Sequence, residues 1–221
     1  YGGITNDLLE HKKSGQSGVY ALFASAEEQG SWQEAFAELR QKMTDINASF
    51  FNDQSELLEA NDFINGRLDD AERVLVDLQR LCQHGHFSMN DHLQTVREML
   101  ASLGEIHSAY NTAKLLRLDG VAARFVDLSG WSGDKHYSID EQITRAFANI
   151  DLSSELPITT GYCHSENGLM ATYDRGYSEI TFSRVAVLTK AREAIIHKEF
   201  HLSTADPRLV GERNAIPIGR T

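Results

Sequence analysis

At about residue 118 the hydrophobic pattern of this chain changes period, and that change decides what it can fold into. Before it, apolar residues recur at steps of three and four, the spacing of one helix face. One stripe runs Trp32, Phe36, Leu39, Met43, Ile46 and Phe50. A second runs Ile64, Leu68, Ala71, Leu75, Leu78 and Cys82, and a third Leu93, Val96, Leu100 and Leu103. The stripes predict three long amphipathic helices within residues 30–118, joined by short loops as in a bundle. Ser31 and Glu34 have the spacing of a capping box, and Ser88 suits the start of the third helix. Gly85 and Gly120 suit the left-handed position after a helix end.

After residue 118 the pattern is that of strands alternating with helices. Val121–Asp127, Pro157–Gly161 and Ala194–Lys198 read as strands, and Ser178–Lys190 as a helix. Strands separated by helices form parallel β-α-β units, whose ligands sit outside the carboxyl ends of the strands. The loops that follow carry Gly130, Gly161, Gly168 and the segment Ala205-Asp206-Pro207-Arg208. No repeat, low-complexity tract or linker divides the 221 residues.

Composition narrows the function. Lys plus Arg number 21 against 32 Asp plus Glu, a formal net charge of −11. A nucleic-acid or anionic-membrane partner calls for a basic surface, so neither is expected. No apolar run reaches the roughly 18 residues of a membrane span, and the opening segment is not a signal peptide. Two cysteines, Cys82 and Cys163, make no disulfide framework and suit a reducing cytoplasm. Tyr1 is not an initiator Met and the chain stops at Ile218-Gly219-Arg220-Thr221, so both ends are expected to lie inside a longer polypeptide.

Five segments carry chemical interest. Cys82-Gln83-His84-Gly85-His86 clusters metal-ligand types, but zinc needs four suitable ligands. Histidines at a helix C-terminus already have a reason in the negative end of the dipole, so no metal site is expected. Gly2-Gly3-Ile4-Thr5-Asn6 is a glycine turn entering a helix, where free N–H groups suit an anion, or a plain structural turn. Ser102-Leu103-Gly104-Glu105 puts a glycine inside a helix at a cost of about 1 kcal/mol, which close packing or ligand approach offsets. In Asp174-Arg175-Gly176-Tyr177-Ser178-Glu179, Arg175 is suited to clamp a carboxylate and Ser178 to cap a helix or hold an anion. Ser203-Thr204-Ala205-Asp206-Pro207-Arg208 contains an Asp-Pro turn former.

Taken in order, four of these segments resemble the aspartate kinases of the amino-acid kinase family. That family shows a Gly-Ile/Val-Thr-Asn/Asp turn, a Ser-x-Gly-Glu, an Arg-Gly-Gly-Ser-Asp and a Thr-Ala-Asp-Pro-Arg, and the resemblance spans essentially the whole chain. The segments around Glu105, Arg175, Lys198 and Arg208 are most similar to the branch associated with ectoine biosynthesis. The resemblance implies an α/β fold, a three-layer αβα sandwich, mostly parallel. It would have an enlarged helical part over 30–118, a β-α-β part over 119–221 and an incomplete sheet.

It also implies ATP-dependent phosphorylation of the β-carboxylate of aspartate, with Mg²⁺. Thr5, Glu105, Arg175 and Ser178 match substrate-binding positions, with Glu105 on the amino group and Arg175 on a carboxylate. Arg208 matches a nucleotide contact. Full-length members are expected to be homo-oligomers. Departures are visible: Tyr177 stands for the second glycine of the substrate loop and Glu179 for its aspartate. His197–Ser203 replaces a Thr-Asp-Val-Asp-Gly-Ile-Tyr segment. The family's Lys-x-Gly-Gly-Thr-Ser turn, whose lysine faces the transferred phosphate, and its C-terminal ACT domains have no match, so no catalytic residue is expected within the chain. Two other readings stay open, a fold-bearing fragment without activity and a kinase of glutamate or N-acetylglutamate.

Overall fold

The structure is a computed structural model and describes residues 3–10, 15–25, 31–131, 137–173, 176–197, 205, 207–211 and 213–214. Two short helices, α1 (Ile4–Leu8) and α2 (Val19–Ser25), precede three long ones, α3 (Ser31–Phe50), α4 (Gln54–Cys82) and α5 (Leu93–Leu118). Strand β1 (Ala123–Val126), α6 (Ile139–Phe147) and strand β2 (Leu156–Thr159) follow, then α7 (Leu169–Tyr173), α8 (Tyr177–Leu188) and α9 (Pro207–Val210).

The three stripes become the core. Trp32, Phe36, Leu39 and Met43 of α3 meet Ile64, Leu68, Ala71 and Leu75 of α4, all at most 2% exposed. They close on α5, which packs against α1, α2, α3, α4 and both strands. A helix enclosed on that many sides is buried nearly all round, and so Ser102, Gly104, His107 and Asn111 are buried along with its leucines. Sequence periodicity marks only one face of α5, because the other faces carry polar residues that hydrogen-bond inside the core. His107 and Asn111 both meet Oδ1 of Asn47, at 2.7 and 2.6 Å.

The helix ends differ in part from expectation. Asp53 caps α4, accepting from the N–H groups of Ser55 and Glu56. That helix closes at Gln83 in the right-handed region, and Gly85 is not among the positive-φ glycines, so Gly85 is no left-handed cap. Ser88 opens a 3-10 turn, Met89–Asp91, without a side-chain cap, and His92 precedes α5. Gly120 does stop α5: at φ 81 it lets Val121 N–H reach Leu116 O and its own N–H reach Arg117 O, the double bond of a Schellman ending. A capping box is formed by Ser138 and Glu141 ahead of α6. At α3, Ser31 is the first helical residue, and residues 26–30 lie outside the described residues.

β1 and β2 pair in parallel, Ala123 opposite Leu156 through Val126 opposite Thr159, with α6 as the crossover. This is an incomplete α/β sandwich with two strands in its sheet among the described residues. Residues 194–197 do not form the third strand expected there. A strand needs a partner for its backbone groups, and Ile195 and Ile196 are 59% and 50% exposed.

Candidate acceptor-substrate site

Gly3 starts the site. Its φ of 96 lets the chain turn into α1, and its carbonyl accepts from Asp7 N–H at 2.9 Å. Ile4 and Leu8, one turn apart, are 2% and 0% exposed, which fixes the rotation of this short helix and leaves Thr5 exposed. Lys42 of α3 ties α1 down through Asp7.

The glycine inside α5 explains itself against this helix. A Cβ on Gly104 would stand 3.1 Å from Ile4 Cγ2, 3.5 Å from Leu8 Cδ1 and 3.8 Å from Thr5 Oγ1. Close approach of α1 to α5 therefore offsets the helix-propensity cost, and it places the Thr5 hydroxyl beside the residue before Glu105.

Glu105 points to the carboxyl end of β2. Its Oε2 accepts from Gly161 N–H at 3.3 Å and its Oε1 from Ser178 Oγ at 3.4 Å. Burial pushes its carboxyl above the ordinary range, and the bonds from Gly161 and Ser178 pull the other way. The loop around it is tightly held: Thr160 Oγ1 donates to Tyr162 O at 2.7 Å and accepts from Leu128 N–H at 3.1 Å. A Cβ on Gly161 would lie 2.7 Å from Glu105 Oε2 and 3.0 Å from Ser178 Oγ. Tyr177 beside Ser178 has its phenol pushed up to about 12, by burial first and then by the carboxylates of Glu105 and Glu98.

Ser178 does not cap its helix. Gly176, at φ 78, is the N-cap of α8 and makes no side-chain bond there, which frees the serine hydroxyl for Glu105. The structure thus brings Glu105 of α5 and Ser178 of α8 together, while Thr5 of α1 stands against Gly104, one residue before Glu105. Arg175 lies outside the described residues. Arg208 falls in α9, and its side chain is likewise outside them. Histidines 84 and 86 are exposed just past α4. Among the described residues no three His, Cys, Asp or Glu side chains converge on a metal position. A cleft of about 360 Å³ opens between α6 and α8, spanned by the Arg184–Asp140 ion pair, and Thr5, Glu105 and Ser178 do not line it. Sequence reasoning missed Gly161 as the backbone donor. The signal for it was a glycine closing a strand pattern, in a loop at the carboxyl end of a strand.

Residues 2–218 match the amino acid kinase family. The chain belongs to that family. It is 54% identical over all 221 of its residues to a protein of Stutzerimonas stutzeri strain A1501 named aspartate kinase Ask_Ect, and spans 46% of that protein's length. Over 141 residues, 55% of the chain, it is 28% identical to an aspartokinase of Schizosaccharomyces pombe strain 972, of which that stretch is 25%. The chain therefore spans under half the length of the relatives it matches. Among the described residues, no helix is long and apolar enough to cross a membrane.

Proposed function

We propose that the chain carries the acceptor-substrate part of an aspartate kinase, which transfers the γ-phosphoryl group of ATP to the β-carboxylate of L-aspartate. The product is 4-phospho-L-aspartate, a precursor for lysine, threonine and methionine or for ectoine. The observation that carries this reading is the partly buried Glu105 carboxylate, bonded by Gly161 N–H and Ser178 Oγ, with Thr5 against the preceding Gly104. An anion kept in place by two donors, with its pKa raised by burial, gains most from a cationic ligand group. The α-ammonium of an amino acid supplies one. The relationship to a protein named aspartate kinase supports the choice of amino acid.

In this reading Glu105 pairs with the ammonium, and the Thr5 and Ser178 hydroxyls orient the substrate. Arg175 holds a carboxylate through its planar fork, and Arg208 contacts the nucleotide. Aspartate's β-carboxylate is ionised at neutral pH, with a reference pKa near 3.9, so no base has to remove a proton. One of its oxygens forms a bond to the γ-phosphorus. The bond from that phosphorus to the bridging oxygen breaks, and ADP leaves with the electron pair. The chain's residues contribute by positioning, which supplies much of the rate in such transfers. Mg²⁺ enters on the nucleotide phosphates as part of the substrate. A cytoplasmic, homo-oligomeric enzyme completes the proposal.

The test is a substrate panel with the natural full-length gene product, the acyl phosphate being trapped by hydroxylamine. ATP-dependent hydroxamate with L-aspartate and not with glutamate or N-acetylglutamate is expected. Turnover of either of the latter in place of aspartate overturns the reading.

A further inference from the structure

Glu98 is 6% exposed and takes no part in the site described above. It precedes Glu105 by seven residues on α5, two turns, so both carboxylates stand on one face of that helix. A carboxylate this deeply buried is costly without partners, and outside α5 its partners belong to the segment that brings Ser178 to Glu105. Its Oε1 accepts from Ala171 N–H at 2.9 Å, and from Gln94 Nε2 at 3.1 Å. Ala171 is in the first turn of α7. Just ahead of it Gly168, at φ 72, comes so close that a Cβ there would lie 2.8 Å from the same Oε1.

A second arm runs through Tyr162, which is 1% exposed. Burial, and then the neighbouring Glu98 carboxylate, push this phenol above its ordinary range, and Oε2 of Glu98 is buried without a hydrogen-bond partner. The ring of Tyr162 packs edge-on against that of Tyr177, with centroids 6.1 Å apart and planes at 71°. Tyr177 is the first residue of α8 and directly precedes Ser178. The backbone of Tyr162 follows Gly161, the donor to Glu105. One carboxylate therefore bonds α7 directly and neighbours Tyr162, whose ring packs on the first residue of α8.

We propose that Glu98 is a positioning residue for the acceptor subsite, holding α7 and, through Tyr162 and Tyr177, the Ser178 end of α8 at the distance from Glu105 that aspartate requires. This rests on the aspartate kinase reading for the identity of the ligand, and on geometry alone for the positioning. The effect belongs in substrate affinity, because small displacements of positioning groups are felt most by the ligand they orient.

The experiment compares Glu98→Ala and Glu98→Gln in the natural full-length gene product. Steady-state kinetics are measured with aspartate and with ATP varied, and amide hydrogen exchange is followed over Leu169–Tyr173 and Tyr177–Leu188 without substrate. Glu98→Ala is expected to raise KM for aspartate roughly tenfold or more while KM for ATP moves by less than about twofold. Exchange accelerates in both segments and not elsewhere. Glu98→Gln keeps an acceptor for Ala171 N–H and recovers most of both effects. Equal rises in the two KM values, a fall in kcat alone, or unchanged exchange in both segments overturns the proposal. If Glu98→Ala does not fold, Tyr162→Phe, which removes only the second arm, decides. A raised aspartate KM with faster exchange at the start of α8 supports it, and neither change overturns it. If the wild-type enzyme does not phosphorylate aspartate, the functional reading fails, and exchange alone then decides the role of Glu98.

Discussion

The backbone N–H of Gly161 donates to Oε2 of Glu105 at 3.3 Å, across a gap that has no room for a methyl group. A Cβ there would stand 2.7 Å from that oxygen and 3.0 Å from Ser178 Oγ. Both obstacles are the far ends of side chains, and Gly161 is not among the glycines with positive φ. Alanine at 161 is therefore expected to fold, with Glu105 and Ser178 pushed off their positions. Gly161→Ala should raise KM for aspartate by roughly tenfold or more and lower Tm by no more than a few degrees. Steady-state kinetics with a melting curve check both.

Glu105 gives a pH signature. Its pKa is raised, with burial as the first cause, so ionising it in the folded protein costs stability. That cost is absent below the ordinary glutamate pKa and grows as pH rises toward the raised folded value. Above that value it is constant. Glu105→Gln should therefore melt higher than wild type at neutral pH, with the difference shrinking to nothing as pH falls below about 4. Aspartate affinity should move in the opposite sense. In wild type it should weaken as pH falls through the raised Glu105 pKa, before the substrate's own carboxylates titrate, and in Glu105→Gln that step should vanish.

Arg67 and Asp127 provide a control outside the site. Arg67 bonds Asp127 Oδ2 at 2.7 Å, with the side chains 18% and 21% exposed, and its guanidinium lies 5.6 Å from the Phe63 ring centroid and 5.9 Å from that of Trp131. Asp127 also accepts from the Ser129 N–H at 2.9 Å. Removing one partner leaves a mostly buried charge unpaired, at a cost of about 2–4 kcal/mol after allowance for partial exposure. Asp127→Ala should lower Tm by roughly 5–10 °C while the aspartate KM of the folded enzyme stays within about twofold. Thermal denaturation and kinetics on the same preparation separate the two.

How much of this was legible in the sequence depends on the range of the forces involved. Trp32, Phe36, Leu39 and Met43 announced α3 because a helix face is a local pattern. Phe50 continued that pattern yet is 39% exposed. The helix ends there, and Phe51, at 2% exposed, turns inward in its place. Ala194–Lys198 read as a strand from its apolar run, but pairing is settled by neighbours distant in sequence. Gly104 signalled close packing because a glycine within a helix needs a reason, and Ile4 supplies it. Glu98 gave no signal, since on α5 it reads as one more surface charge and becomes buried only when residues 162–171 fold over it. Thr5 was given a role through family resemblance, and Ser178 both through it and as a residue suited to cap a helix or hold an anion. Nothing local in the sequence says that Ser178 meets Glu105 or that Thr5 packs against Gly104.

The most direct measurement compares L-aspartate with succinate, which keeps both carboxylates and lacks the amino group. Their inhibition or binding constants would be determined in the natural full-length gene product and in Glu105→Gln. If Glu105 reads the ammonium, wild type should favour aspartate by about two orders of magnitude, on the order of 2–3 kcal/mol for a charge-assisted contact. Glu105→Gln should lose most of that preference through weaker aspartate binding, with succinate little changed. A preference that survives intact in Glu105→Gln, or a wild-type enzyme indifferent to the amino group, would contradict the account.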